Sequence, residues 1–441
     1  MLLPSDSPFL VDASGYRGAA ERVFTPRDEA EVVSVLLEAS AARIPVTIAG
    51  AGTGLTGGRV PQSGWVLSLA NLAAVGVHSG YAVCGAGLLL RDLQTAAAGS
   101  KQFYAPDPTE YSASLGGTIA TNSSGSRSFR YGDTRRHVRA LRVVLMSGEV
   151  LALRRGGERQ FDLPVLPAPD TTKNTAGYYL RPGMDDLDLF IGSEGTLGVV
   201  VQAEVVLLPM PQSLFTGVVF FSSDEEALQA VREWRGVPGL RMLEYMDAAS
   251  LNLLREIPER ARAALLIERE GDDWLPDRGL DASWFATGAA DRERFRRFRH
   301  ALPETVNNLM RGRGLSKLGS DFAVPIARND EMLRFYRETL DREFPGQYNI
   351  FGHIGDAHLH VNILPATPEQ WTRAHGLMTV FARHAVELGG TVSAEHGLGK
   401  NKRHYLPIQF SAAEIETMKA VKNQFDPYGL LGQGTLFDSG F

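Results

Sequence analysis

The sequence predicts a two-domain α+β protein, and three observations carry that prediction. At 441 residues the chain is too long for one ordinary domain of about 150. Short apolar runs of strand length recur between helix-period stretches along the chain. Three glycine-rich segments all fall before Pro209-Met210-Pro211, and strand and helix patterns alternate differently after it. The boundary is therefore set at 209/210, with a first domain over 1–209.

Composition narrows the classes. The chain is 44% hydrophobic, 22% charged and 9% aromatic, which is ordinary globular usage and excludes a disordered, collagenous or coiled-coil chain. Lys and Arg total 45 against 51 Asp and Glu, a net charge of −6. That balance argues against general binding to nucleic acid or to an anionic membrane. Cys84 is the single cysteine, so an intramolecular disulfide and a multi-cysteine iron–sulfur cluster are both excluded. No apolar run reaches the roughly 18 residues of a membrane span. Residues 1–10 lack a basic region followed by an apolar one, so no signal peptide is expected and the expected location is cytoplasmic.

The first helix is expected to open at Thr25-Pro26, with Thr25 as N-cap and Pro26 in the first turn. It should bury a stripe of Val33, Leu36 and Leu37. Residues 46–49 form a short apolar strand that runs into the first glycine segment, 50–58. Residues 65–69 form the next strand. The second glycine segment spans 114–125. Residues 141–146 and 150–153 are strands joined by a Ser147-Gly148 turn, and the third glycine segment, 192–198, leads into a strand over 199–208. After the boundary, helices are expected over 224–234, 291–310, 329–344 and 371–388, and strands over 263–268 and 359–364.

Residues 52–57 fit G-x-G-x-x-G after a strand. A Rossmann-type site also needs a helix opening at the loop and an acid about 20 residues on. Neither is present: no Asp or Glu stands between Glu38 and Asp92, and a strand follows the loop. Clustered glycines with Ser, Thr and Asn neighbours suit a different use, backbone N–H groups brought against a pyrophosphate, because a bare Cα permits close approach.

The segments 49–58 (AGAGTGLTGG), 106–109 (PDPT), 114–122 (SLGGTIATN), 130–133 (RYGD) and 191–198 (IGSEGTLG) resemble, in order and spacing, the FAD-binding domain of the vanillyl-alcohol oxidase/para-cresol methylhydroxylase type. Residues 173–178 (KNTAGY) resemble the short insert before its last loop. The second half resembles the cap of the FAD-linked D-2-hydroxyacid dehydrogenases, a group including D-lactate and D-2-hydroxyglutarate dehydrogenases and the glycolate oxidase flavoprotein subunit. The resemblance implies that Gly50, Ala51, Gly52, Thr53, Gly54 and Leu55, with Ser114, Gly116, Gly117, Asn122 and Gly125, embrace the FAD pyrophosphate. It places Pro106 and Asp107 beside the ribityl chain and flavin, and Glu194 and Gly198 towards the adenine. Some relatives carry a histidine in the first loop that bonds to the flavin. Residues 50–58 contain none, so FAD is expected to be non-covalent. The implied cap, over 210–409, is an antiparallel sheet with helices. Residues 410–441 are expected to return to the FAD domain, where DPYGLL at 426–431 matches the family ending and Gly432-Gln433-Gly434 departs from it.

Four of the ten histidines stand in two short clusters, at 352–362 and 393–400. His358, His360 and Asn362 alternate along a strand and share one face. Gly355-Asp356 reads as a turn returning His353 to that face. Two imidazoles and a carboxylate are a usual open zinc shell. The resemblance makes His353, His360 and Glu395 the ligands of a divalent metal, most simply zinc, His396 the catalytic base and Asn362 a substrate contact. His358 stands where many relatives have asparagine, and its use is open between a further ligand, a substrate contact and neither.

Residues 295–303 resemble the segment whose arginine clamps the substrate carboxylate, and the match falls on Arg299. A guanidinium fork suits that task. Gly319 stands where relatives place a second, cationic anchor, with Lys317 two residues earlier and Lys400, Lys402 and Arg403 as further sources of charge. On Gly319 alone, short or apolar acids are expected to be better substrates than D-2-hydroxyglutarate. The expected function is oxidation of a small D-2-hydroxy acid to the 2-oxo acid, hydride passing to FAD and electrons on to an external acceptor such as an electron-transfer protein, cytochrome or quinone. A metal hydrolase is the competing class, and the glycine loops weigh against it. A flavoprotein subunit of a larger complex and an enzyme for a different alcohol also stay open. So does the oligomeric state, with a homodimer as one option.

Overall fold

Three sheets and a two-stranded ribbon carry the chain in this computed structural model, which describes residues 2–271, 273–286 and 288–438. The fold is α+β, as the sequence predicts. In the first sheet Trp65–Ser68 lies between Arg22–Phe24 and Val46–Ala49, all parallel. The second is antiparallel, in the order Val75–His78, Tyr81–Gly85, Val199–Val206, Val138–Val144, Val150–Arg154. The helix Glu29–Ala42 fills the space between them. Its Val32, Val35, Leu36 and Ala39 pack with Val46 and Trp65 from one sheet and Val144 and Val199 from the other. Each of the valine and leucine side chains contributes about 1.5–3 kcal/mol on burial.

That helix corrects the expectation at Thr25-Pro26. It opens at Asp28, whose extended backbone and side chain cap the N–H of Glu31. The core face is accordingly shifted, and Leu37 is 48% exposed. The same Thr-Pro signal is real further on: Thr367 caps Gln370 and Pro368 opens the helix Pro368–Glu387, three residues before the expected start.

The third sheet is antiparallel and has seven strands, in the order Trp284–Ala286, Leu214–Phe221, Ala263–Glu270, Leu240–Asp247, Tyr348–His353, His358–Ile363, Leu318–Gly319. Its inner strands are apolar on both faces because both faces are covered. Val219, Phe221, Leu265 and Ile267 join a core with the helices Asp224–Trp234, Asn329–Glu343 and Pro368–Glu387. Val218, Phe220, Ala264 and Leu266 pack on Phe295, Leu302, Val306 and Met310 of the helix Ala289–Gly312. The end of the chain comes back to the first sheet: Val46 N–H donates to Leu430 O at 2.8 Å and Gly432 N–H to Val46 O at 2.9 Å. Among the described residues no helix is long and apolar enough to cross a membrane.

Candidate functional site

The hairpin of Tyr348–His353 and His358–Ile363 builds the centre. Pairing sets His353 opposite His358 and Phe351 opposite His360. The 3-10 turn Ile354–Asp356, closed by Ala357 at φ 51°, brings His353 onto the face of His358, His360 and Asn362. Glu395 and His396 arrive from a separate loop, which Asp321 clamps. Its carboxylate accepts from the backbone N–H groups of Glu395 and His396, at 3.3 and 2.9 Å, and from Ser393 Oγ at 2.8 Å. Burial disfavours that charge, yet His396 and His358 hold the Asp321 carboxyl far below its usual range.

Three imidazoles converge on one oxygen. Glu395 Oε1 lies 3.2 Å from His353 Nε2, 3.5 Å from His360 Nε2 and 3.7 Å from His396 Nε2. His353, His358, His360 and Glu395 each offer a ligand atom, all within 4.8 Å of one another. The second nitrogen of His353 meets Glu244 Oε1 at 2.5 Å, and that of His360 meets Ser320 O at 3.2 Å. Such outer partners orient each Nε2 inward, as in metal-binding histidines. This donor set fits a divalent cation of borderline hardness. Burial favours a neutral His353, but Glu244 outweighs it and lifts the imidazole to about 9. Burial likewise opposes the Glu395 charge, and Lys173 Nζ at 3.1 Å with His353 keeps that carboxyl well below its ordinary range.

His358 differs from its neighbours. It is fully buried, with Nε2 3.2 Å from Asp321 Oδ1, and burial, then repulsion by His360, lowers it to about 3. His396 is pushed down to about 4, chiefly by burial, with Asp321 opposing. It is neutral near pH 7. Its Nδ1 faces Asp321 Oδ1 at 3.4 Å, which favours the tautomer with Nε2 free to accept a proton.

These groups stand at one end of a cavity of about 1220 Å³, above the roughly 300–1,000 Å³ of an ordinary ligand pocket. The first-half loops build the other end: residues 50–55, Ser114, Gly116, Gly117, Glu194 and Gly198 all lie on its wall. The cradle is tight. A Cβ at Gly50 would come within 2.7 Å of Ser114 Oγ, and Gly52 holds φ 89°, so bare backbone is required at both. A long cavity lined by glycine backbone and hydroxyls fits FAD with room for a small substrate. Glu194 joins the two ends. It accepts from the N–H groups of Leu398 and Gly399, at 2.8 Å each, and burial pushes its carboxyl up to about 7.

Four of the residues expected beside the cofactor are not on that wall. Pro106 is buried. Asp107 accepts from Tyr111 Oη and Ser126 Oγ. Asn122 donates to Asp133 and accepts from the N–H of Arg135. Gly125, at φ 98°, donates its N–H to Glu395 Oε2 at 3.2 Å. They stand behind the cavity and hold its loops.

Of the arginines at 292–299, Arg299 lines the cavity. Its Nε donates to Glu244 Oε2 at 3.1 Å, which leaves the terminal nitrogens for a ligand. Asn362 Nδ2 is buried without a protein partner, a donor that calls for a bound acceptor. Sequence reasoning missed three supports. Glu244 joins Arg299 to His353, and its one signal is an acid inside the apolar run 243–246. Lys173 stood in the segment 173–178, which was matched with no role attached, and Asp321 carried no local signal.

Comparison with known proteins agrees with this geometry. Residues 210–436 match the family described as FAD linked oxidases, C-terminal domain, and residues 20–154 the one described as FAD binding domain. The chain is 30% identical to glycolate oxidase subunit GlcD of Bacillus subtilis, covering 96% of this chain and 90% of that one. It is 31% identical to a D-lactate dehydrogenase of Archaeoglobus fulgidus, over 93% and 90%. It is 28% identical to a D-2-hydroxyglutarate dehydrogenase of Stutzerimonas stutzeri, over 95% and 91%. A solved alkyldihydroxyacetonephosphate synthase shares the fold, with a TM-score of 0.66 at 18% identity over 93% of this chain and 76% of that one.

Proposed function

We propose that this chain, which belongs to the FAD-linked oxidase family, oxidises a small D-2-hydroxy acid to the 2-oxo acid and passes the electrons to an external acceptor. The observation that carries the reading is the meeting of His353, His360, Glu395 and His396 in the cavity that the glycine loops line. The relatives named as D-lactate and D-2-hydroxyglutarate dehydrogenases support the substrate class.

Arg299 binds the substrate carboxylate through its terminal nitrogens, and Asn362 donates to a substrate oxygen. When bound, FAD supplies the hydride acceptor, and a divalent cation held by His353, His360 and Glu395 supplies positive charge beside the hydroxyl. Nε2 of His396 takes the hydroxyl proton, with Asp321 behind Nδ1 stabilising the imidazolium that results. Glu244 fixes both Arg299 and His353, so carboxylate grip and cation site keep one geometry. The test is dye-linked turnover of the purified chain with trapping of the 2-oxo acid. Turnover without any added protein would also set aside a second reading, suggested by the relative named as a subunit, in which the chain works only within a larger complex.

Two results are expected from this arrangement. Acid precipitation should release the yellow flavin into the supernatant, and colour kept in the pellet would mean a covalent bond. Arg299→Ala should raise KM by about 10- to 150-fold, the worth of a charge-assisted bidentate contact of about 1.5–3 kcal/mol, with a smaller change in kcat. Arg299→Lys should restore only part of it, an ammonium being a point charge. An unchanged KM in Arg299→Ala would reduce that arginine to a brace for Glu244.

A further inference from the structure

Glu395 turns its two carboxylate oxygens towards different parts of the chain. Oε1 faces the imidazoles of His353, His360 and His396. Oε2 faces the half that carries the glycine segments and takes three donors from it: Ser124 Oγ at 3.0 Å, the N–H of Gly125 at 3.2 Å and Lys173 Nζ at 3.1 Å. A carboxylate oxygen offers about two lone-pair sites, so Oε2 is saturated and Oε1 alone is left for a cation. Lys173 is itself held in place. Its side chain is 1% exposed, and its Nζ lies 3.7 Å from Asp356 Oδ2. Nζ also donates to Gly125 O at 3.3 Å, and Ser128 Oγ fixes Asp356 at 2.8 Å. Turning Glu395 to offer both oxygens would leave a buried ammonium, a hydroxyl and an N–H without their acceptor, the costly way to lose a hydrogen bond.

We infer that Lys173 is a positioning residue that pins Oε2, keeps Glu395 a one-oxygen ligand and so preserves the open position where the substrate hydroxyl meets the cation. The inference rests on the cation site of the proposed function and deepens it. His353, His360 and one oxygen of Glu395 are three protein ligands, and a tetrahedral zinc then keeps its fourth position free. A second carboxylate oxygen would fill that position and compete with the substrate.

A crystal structure of the flavin-loaded wild-type protein with zinc reads this directly. One oxygen of Glu395 should stand about 2.0–2.2 Å from the ion, while the other keeps its bond to Lys173. Both oxygens in the zinc shell would overturn the inference with no variant needed. In Lys173→Met the carboxylate should turn and place both oxygens on the ion, with flavin and zinc content near wild type. Oxalate binds open metal positions and cannot be dehydrogenated. Its affinity should fall by about 10- to 100-fold in that variant, the usual cost of losing an outer partner of a metal ligand. Lys173→Arg, which keeps a cation and its N–H donors, should restore most of the oxalate affinity. Unchanged oxalate affinity in Lys173→Met, or equal loss of flavin and zinc in both variants, would overturn the positioning role. A wild-type protein that binds no zinc would sink the cation site and this role with it. One-oxygen ligation without oxidation of any D-2-hydroxy acid would instead sink the proposed reaction and leave the role of Lys173 standing.

Discussion

His396→Ala is expected to slow reduction of the bound flavin by about 10²–10⁴-fold, the usual contribution of a positioned general base. Flavin content and substrate affinity should stay near wild type. The expectation follows from three features of one side chain. Burial keeps the imidazole neutral near pH 7. Asp321 accepts the residue's backbone N–H at 2.9 Å and places a carboxylate oxygen 3.4 Å from Nδ1, which fixes the main chain and sets negative charge behind the ring. Its Nε2 stands 3.7 Å from Glu395 Oε1, beside the proposed cation. Anaerobic stopped-flow measurement of flavin bleaching reads the chemical step apart from reoxidation. A rate within about tenfold of wild type would remove His396 from the role of base.

His360→Ala is expected to lose metal and turnover together while retaining FAD. Two nitrogens and one carboxylate oxygen are the minimum open shell, and deleting one ligand leaves His353 and Glu395 already committed to Glu244 and Lys173. The glycine segments that line the cavity supply none of the candidate metal ligands. Elemental analysis should find close to one divalent ion per active wild-type chain, most simply zinc, with manganese or iron compatible with the same donors. The variant should fall below about a tenth of an equivalent. An active wild-type enzyme holding less than that would return the cluster to a charge-balanced polar network of His353, Glu395 and Lys173.

Much of this site was legible because its parts are local. The glycine segments and the alternation of His358, His360 and Asn362 depend on spacing within a few residues, and the resemblance ordered them. What escaped depends on contacts far apart in the chain. Glu244 and Asp321 gain their meaning only when strands and loops from four places meet around His353 and His396. The strands Leu214–Phe221, Leu240–Asp247 and Tyr348–His353 were missed for a related reason. Helices or neighbouring loops bury both of their faces, so the period-two signal that marks a half-exposed strand is lost. At the first helix the error was local: Asp28 with Glu31 outcompetes Thr25-Pro26 because its carboxylate reaches the N–H of the third helical residue.

The most direct test of the account is anaerobic mixing of the flavin-loaded, metal-replete protein with matched D- and L-2-hydroxy acids, followed by flavin absorbance. Complete bleaching by D-lactate or D-2-hydroxyglutarate, with formation of the corresponding 2-oxo acid and no bleaching by the L-enantiomers, is the predicted result. A flavin that stays oxidised with every D-2-hydroxy acid, or that is bleached equally by both enantiomers, would contradict it.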